Sequence, residues 1–166
     1  MPRRAAGAPR LDRTPNRASA VLRLDDYLPY RLSVAANAVS QLIARAYRDR
    51  FGLKVPEWRL IAVLADAGLL TPQALCERTV MDKVTVTRAA QGLLRRRLVQ
   101  REPHASDGRS HRLRLTAAGQ RLHGRIAPLA LHYEACLLSG MNPRAIETLE
   151  RQLRRLQQAA DALSRG

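Results

Sequence analysis

Apolar positions fall into helical stripes at both ends of the chain. Leu28, Leu32, Ala35, Val39, Leu42 and Ala46 alternate steps of four and three, which places them on one face of a long helix. That helix should end near Phe51-Gly52, where glycine suits a C-cap. Toward the other end, Leu122, Ile126, Leu129, Tyr133 and Leu137 mark a helix from Ala117 to about Ser139, with Thr116 as its cap. Asn142-Pro143 then opens a last helix, in which Ile146, Leu149, Leu153, Leu156, Ala160 and Leu163 keep the same spacing without a miss. So regular a stripe on a terminal helix predicts a seam for pairing with another helix.

The middle of the chain is more finely divided. Pro56 opens a short helix carrying Trp58, Ile61, Ala62, Leu64 and Ala65, and Gly68 closes it. Thr71-Pro72 is a cap followed by a first-turn proline, which predicts a helix of barely two turns over Gln73 to about Arg78. A break at Thr79-Val80-Met81 leads to a second cap, Asp82. The next helix, Lys83 to about Arg97, is predicted to bury Val84, Ala90, Leu93 and Leu94 and to expose Lys83, Thr85, Thr87 and Arg88; Val86 fits either side. Two short helices joined by a tight break, the second with a polar, basic leading turn, form a helix-turn-helix. The period then drops to two: Leu98–Pro103 and Ser110–Leu115 read as strands around a basic tip, with Asp107-Gly108 as the turn signal. This hairpin is a wing. The fold class is therefore mainly α, a winged helix-turn-helix with a helical dimerisation region built from the first and last helices. In this reading 1–22 is a disordered basic tail, 23–55 a dimerisation helix, 56–115 the winged unit and 116–166 the C-terminal dimerisation helices.

Charge supplies the partner class. There are 29 Lys and Arg against 14 Asp and Glu, a formal charge of +15, so a polyanion is the default partner. One Phe, one Trp and four Tyr are too few for a single-strand binder that stacks bases on aromatic rings. A sequence-independent architectural DNA coater is the alternative that charge alone would equally satisfy. Enzyme chemistry is not expected, because no paired carboxylates, nucleophile elbow, glycine-rich phosphate loop or metal-ligand spacing occurs. No cofactor or metal is expected either. Cys76 and Cys136 are far apart and read as small buried apolar residues rather than ligands. With no apolar run long enough for a membrane helix and no signal-peptide core at the start, a cytoplasmic protein is expected.

Two stretches carry a family resemblance: Met81-Asp-Lys-Val-Thr-Val-Thr-Arg with Leu93-Leu-Arg-Arg-Arg-Leu-Val-Gln-Arg, and Ser106-Asp-Gly-Arg-Ser-His-Arg-Leu-Arg-Leu-Thr-Ala-Ala-Gly. With these, residues from about 25 to 163 resemble the MarR family of bacterial transcription regulators. One departure is Arg97, where the family commonly has glycine at the end of the recognition helix. The resemblance implies a homodimer on a pseudo-palindromic operator, usually a repressor, relieved by a small and often aromatic ligand such as an aromatic acid or thioester. In that frame Arg88 is the candidate for a bidentate guanine contact, with Lys83, Thr85 and Thr87 beside it. Arg109 suits the minor groove, Arg112 and Arg114 are phosphate candidates, and Asp107 would shape the wing. The family's ligand pockets, where dimer helices meet the DNA-binding lobe, point to Tyr30, Asn37, Trp58, His123, His132 and Tyr133.

Overall fold

The computed structural model describes residues 22–104 and 107–165, with side chains except at 104 and 107–110. Most of the basic tail thus lies outside the described residues. The order is a 3-10 turn Leu24–Asp26, α1 Leu28–Phe51, α2 Val55–Ala67, α3 Pro72–Thr79, α4 Lys83–Arg95, β1 Val99–His104, β2 Asp107–Leu115, α5 Ala117–Leu138 and α6 Pro143–Leu163. This mainly α architecture with a two-stranded hairpin is the fold class expected from the sequence. The chain divides into two compact units, Met1–Val39 and Ser40–Gly166. In the first unit the apolar positions Leu28, Val34 and Val39 are exposed and Leu32 is half-buried.

In the second unit the core-facing side of α1 is rotated from the stripe and shares only Ala46 with it. Tyr47 is buried, with Ile43, Ala46 and Phe51 packed against the core, while Leu42 stays exposed. Around Tyr47 gather Leu60, Ile61 and Leu64 of α2, Leu75 of α3, Val86 and Leu93 of α4, Leu113 of β2 and Ile126 of α5.

Local chemistry sets the boundaries. The Glu57 carboxylate accepts from the Lys54 backbone N–H at 2.9 Å and closes the first turn of α2. Thr71 Oγ1 accepts from the Ala74 N–H at 3.2 Å at the start of α3. Asn142 Oδ1 does the same for Ala145, at 2.9 Å, at the start of α6. Two helices end in a left-handed residue that is not glycine: Val80 after α3, with φ 51°, and Arg97 after α4, with φ 54°. At Arg97 both reverse-turn bonds form, from Leu98 N–H to Leu93 O at 3.0 Å and from Arg97 N–H to Leu94 O at 2.9 Å. This is a Schellman end made without its usual glycine, so the fold tolerates the strain that the sequence flags there.

The hairpin is longer than the sequence implies. Val99 faces Leu115 and the antiparallel register holds to Pro103 opposite His111, after which it jumps so that His104 faces Asp107. Asp107-Gly108 therefore belongs to the backbone of β2. The irregularity sits at Pro103, which has no N–H to give the ladder. Leu70 adds a one-residue bridge to β2, exchanging bonds with Leu113 at 3.0 and 2.7 Å. At the far end of the hairpin Thr116 Oγ1 accepts from the Gly119 N–H and donates to the Arg97 carbonyl. Gly119 is obligatory here, because a Cβ would run into the backbone carbonyl of Leu98.

Candidate nucleic-acid interface

Helix positions three, four and seven residues apart return to the same face, so one side of a helix can hold the core along its length. In α4 these are Val86 and Leu93, with Ala89 and Ala90 between them, all buried. The opposite face, Val84, Thr87, Arg88 and Gln91, is exposed, and Lys83 stands at its leading edge. The sequence reading had Val84 buried; it is 58% exposed, while Val86 is 1% exposed. About half a turn of phase decides this, since only Val86 lies in line with Leu93. The outer face thus offers a methyl-bearing Val84 beside two cations, while Val86, which the sequence left open, belongs to the core.

Thr85 has a different task from the one its sequence position suggests. Its N–H and hydroxyl donate to the two oxygens of Asp82, at 2.8 and 2.7 Å. The bond from the Thr85 hydroxyl, followed by the backbone bonds, holds the Asp82 carboxyl below the ordinary aspartate range. Thr85 is thereby engaged in capping α4, and Thr87 remains as the free hydroxyl of that face. A cleft of about 260 Å³ beside it is lined by Lys54, Thr85, Arg88 and Arg95. Lys54 and Arg95 were missed in the sequence; the visible signal was Lys54 standing just ahead of Pro56, at the opening of α2.

On the hairpin the arginines separate. Arg114 Nε pairs with Glu102 at 2.6 Å across the strands, so much of its charge is already compensated. Arg112, opposite Glu102 in the register, is half-buried with its Nε unbonded. The side chains of Asp107 and Arg109 lie outside the described residues.

The ligand candidates are only partly brought together. Trp58 stacks on His123 with ring centroids 5.9 Å apart and planes 13° from parallel. Tyr47, which the sequence did not single out, meets Trp58 edge-on at 5.2 Å. Burial, with Tyr133 second, pushes the Tyr47 hydroxyl above its ordinary pKa. His123 also lines a cleft of about 580 Å³ between α2, the hairpin and α5. His132 and Tyr133 contact each other, at 6.0 Å, farther along α5. Tyr30 and Asn37 are exposed and belong to the first unit. Cys76 is half-buried, but Cys136 is exposed, contrary to expectation. It lies off the Ile126 face of α5, with its Sγ 3.7 Å from His132 Nε2. Among the described residues no group of three or more His, Cys, Asp or Glu is placed to hold a metal, and no helix is long and apolar enough to cross a membrane.

The family model of the MarR family matches residues 51–110, from the end of α1 to the wing. A MarR/EmrR family transcriptional regulator from Acinetobacter sp. ADP1 superposes with a TM-score of 0.79 at 26% identity, over 85% of this chain and 99% of that one. The chain carries a MarR-family winged helix-turn-helix. The same MarR fold recurs in Bordetella bronchiseptica BpsR, with a TM-score of 0.77 at 20% identity over 83% of this chain and 98% of that one. Staphylococcus aureus MepR, solved with DNA, matches with a TM-score of 0.72 at 19% identity over 81% and 98%. No curated protein sequence matches the chain. In MarR terms α3 and α4 match the helix-turn-helix and β1 and β2 the wing of the transcriptional regulators to which the chain is similar.

Proposed function

We propose that the chain works as a homodimer that binds a pseudo-palindromic operator and represses transcription until a small, often aromatic, ligand releases it. Residues 56–115 serve as the DNA-binding unit, and 23–55 with 116–166 as the dimerisation helices. The observation that carries this is the outer face of α4. Its inner face is locked by Val86 and Leu93, while Lys83, Val84, Thr87 and Arg88 stand free on a helix of the length and charge that a major groove admits. MepR supports the partner class, being solved as a DNA complex. BpsR supports the ligand, its DNA binding being regulated by 6-hydroxynicotinic acid. Arg109 is assigned to the minor groove beside the wing, with Arg112 on phosphate. Arg114 is a weaker phosphate partner, because Glu102 holds it. The ligand is assigned to the neighbourhood of Trp58 and His123, with Tyr30, Asn37, His132 and Tyr133 as its further candidates.

A gel shift with the gene's own upstream DNA tests this reading. Arg88→Ala should weaken operator affinity by about 1–3 kcal/mol, the worth of a good bidentate base contact. An unchanged affinity would remove α4 from the groove. Equal affinity for scrambled DNA at physiological salt would favour the architectural coater, whose binding rests on the +15 charge alone. Aromatic acids and their thioesters should lower operator affinity.

A further inference from the structure

A third cleft, of about 460 Å³, lies where the end of α1, the end of α4 and the first turns of α5 meet. Its size falls within the roughly 300–1,000 Å³ of small-molecule sites. Four arginines line it, Arg50, Arg96, Arg121 and Arg125, over an apolar floor that includes Phe51 and Leu122. Among the described residues none of the four has a carboxylate within 4.0 Å, although arginines elsewhere do pair: Arg78 with Asp66, Arg114 with Glu102 and Arg154 with Glu150. Two of the guanidinium groups are held in place. Arg96 donates to the Phe51 and Gly52 carbonyls at 2.9 and 3.0 Å, and Arg125 sits over the Phe51 ring 5.5 Å from its centre. Four like charges around one hollow make it a place of positive potential that attracts an anion.

We propose that this cleft binds a small organic anion carrying a phosphate or several carboxylates on an apolar, preferably planar, body. Guanidinium groups match those oxygens two by two, and the floor of Phe51 and Leu122 takes the apolar body. A DNA backbone is the poorer occupant. The cleft lies past the C-terminal end of α4, about 20 Å along the helix from the Lys83 turn assigned to the groove. Binding would be felt at α4 all the same, because Arg96 is at once a wall of the cleft and the residue that ends that helix.

Calorimetry of the full chain without DNA tests the proposal, with 1-naphthyl phosphate and inorganic phosphate as probes. Naphthyl phosphate should bind at least about tenfold more tightly than inorganic phosphate, and Arg121→Gln/Arg125→Gln should lose at least about tenfold of that affinity. Both positions are exposed, so the variant should melt like the parent; Arg50→Gln, also exposed, provides a second variant if it does not. Arg151→Gln/Arg154→Gln on α6 should leave binding unchanged. Equal binding of the two probes, an equal loss in the α6 variant, or no binding at millimolar probe overturns the site. So does an Arg121→Gln/Arg125→Gln variant that loses operator affinity while probe binding stays as in the parent. Since no DNA is present in the titration, a failure of operator recognition would leave this result standing.

Discussion

Two side chains sit in backbone conformations that suit glycine. Val80, at φ 51°, makes the turn between α3 and α4, and Arg97, at φ 54°, follows the C-cap of α4. In that region a Cβ crowds the following carbonyl, at a cost of about 1–2 kcal/mol. The cost at Arg97 is borne because Leu98, just beyond, is carried into the core next to Leu93. Arg97→Gly should therefore raise the unfolding free energy by about 1 kcal/mol in a urea titration, part of the relieved strain being offset by the freer unfolded chain. A neutral or destabilising outcome would mean that the Arg97 side chain contributes contacts worth as much as the strain. The sequence marked Arg97 as out of pattern, because glycine was expected there. Val80 gave no such signal, since a valine in a short polar turn looks like any other exposed residue until its φ is known.

At the scale of elements, the sequence was clear wherever a cap and a stripe agreed. Thr71-Pro72, Asp82, Thr116 and Asn142-Pro143 each open a helix, and all four caps accept from the backbone N–H three places on; Asp82 takes the Thr85 hydroxyl as well, on its second oxygen. Reading failed where two phases were nearly equivalent. α1 has apolar residues on adjacent faces, and only packing shows that Tyr47 rather than Leu42 enters the core. In α4, Val84 and Val86 are alike in type, and burial depends on alignment with Leu93. The Leu70–Leu113 bridge joins residues far apart in sequence and has no local signature. The approach of Gly119 in α5 to the Leu98 carbonyl is equally non-local. Gly119→Ala should cost about 1–3 kcal/mol of stability, because the new methyl meets a backbone carbonyl that cannot swing aside. Thermal melts would show it, and a melt unchanged from the parent would mean that the start of α5 shifts freely.

For the whole molecule, the fold class was legible because it is written in the hydrophobic periodicity. The ligand candidates were not, since a pocket gathers residues that no spacing relates; Trp58 meets His123, whereas Tyr30 and Asn37 fall in another unit. The last helix has no buried residue, and Leu149, Leu153 and Leu156 stand 40%, 45% and 42% exposed in a row. A second copy is what the proposed dimer places against that row. Leu153→Glu would put a charge into the seam, and sedimentation should then give a monomer where the parent gives a dimer. A dimer that survives the change would move the interface elsewhere. The Trp58–His123 stack has a practical consequence. Because Trp58 is the sole tryptophan of the chain, every indole photon the protein emits originates at the junction of α2 with α5. The molecule therefore contains its own optical gauge of that joint, readable without a label.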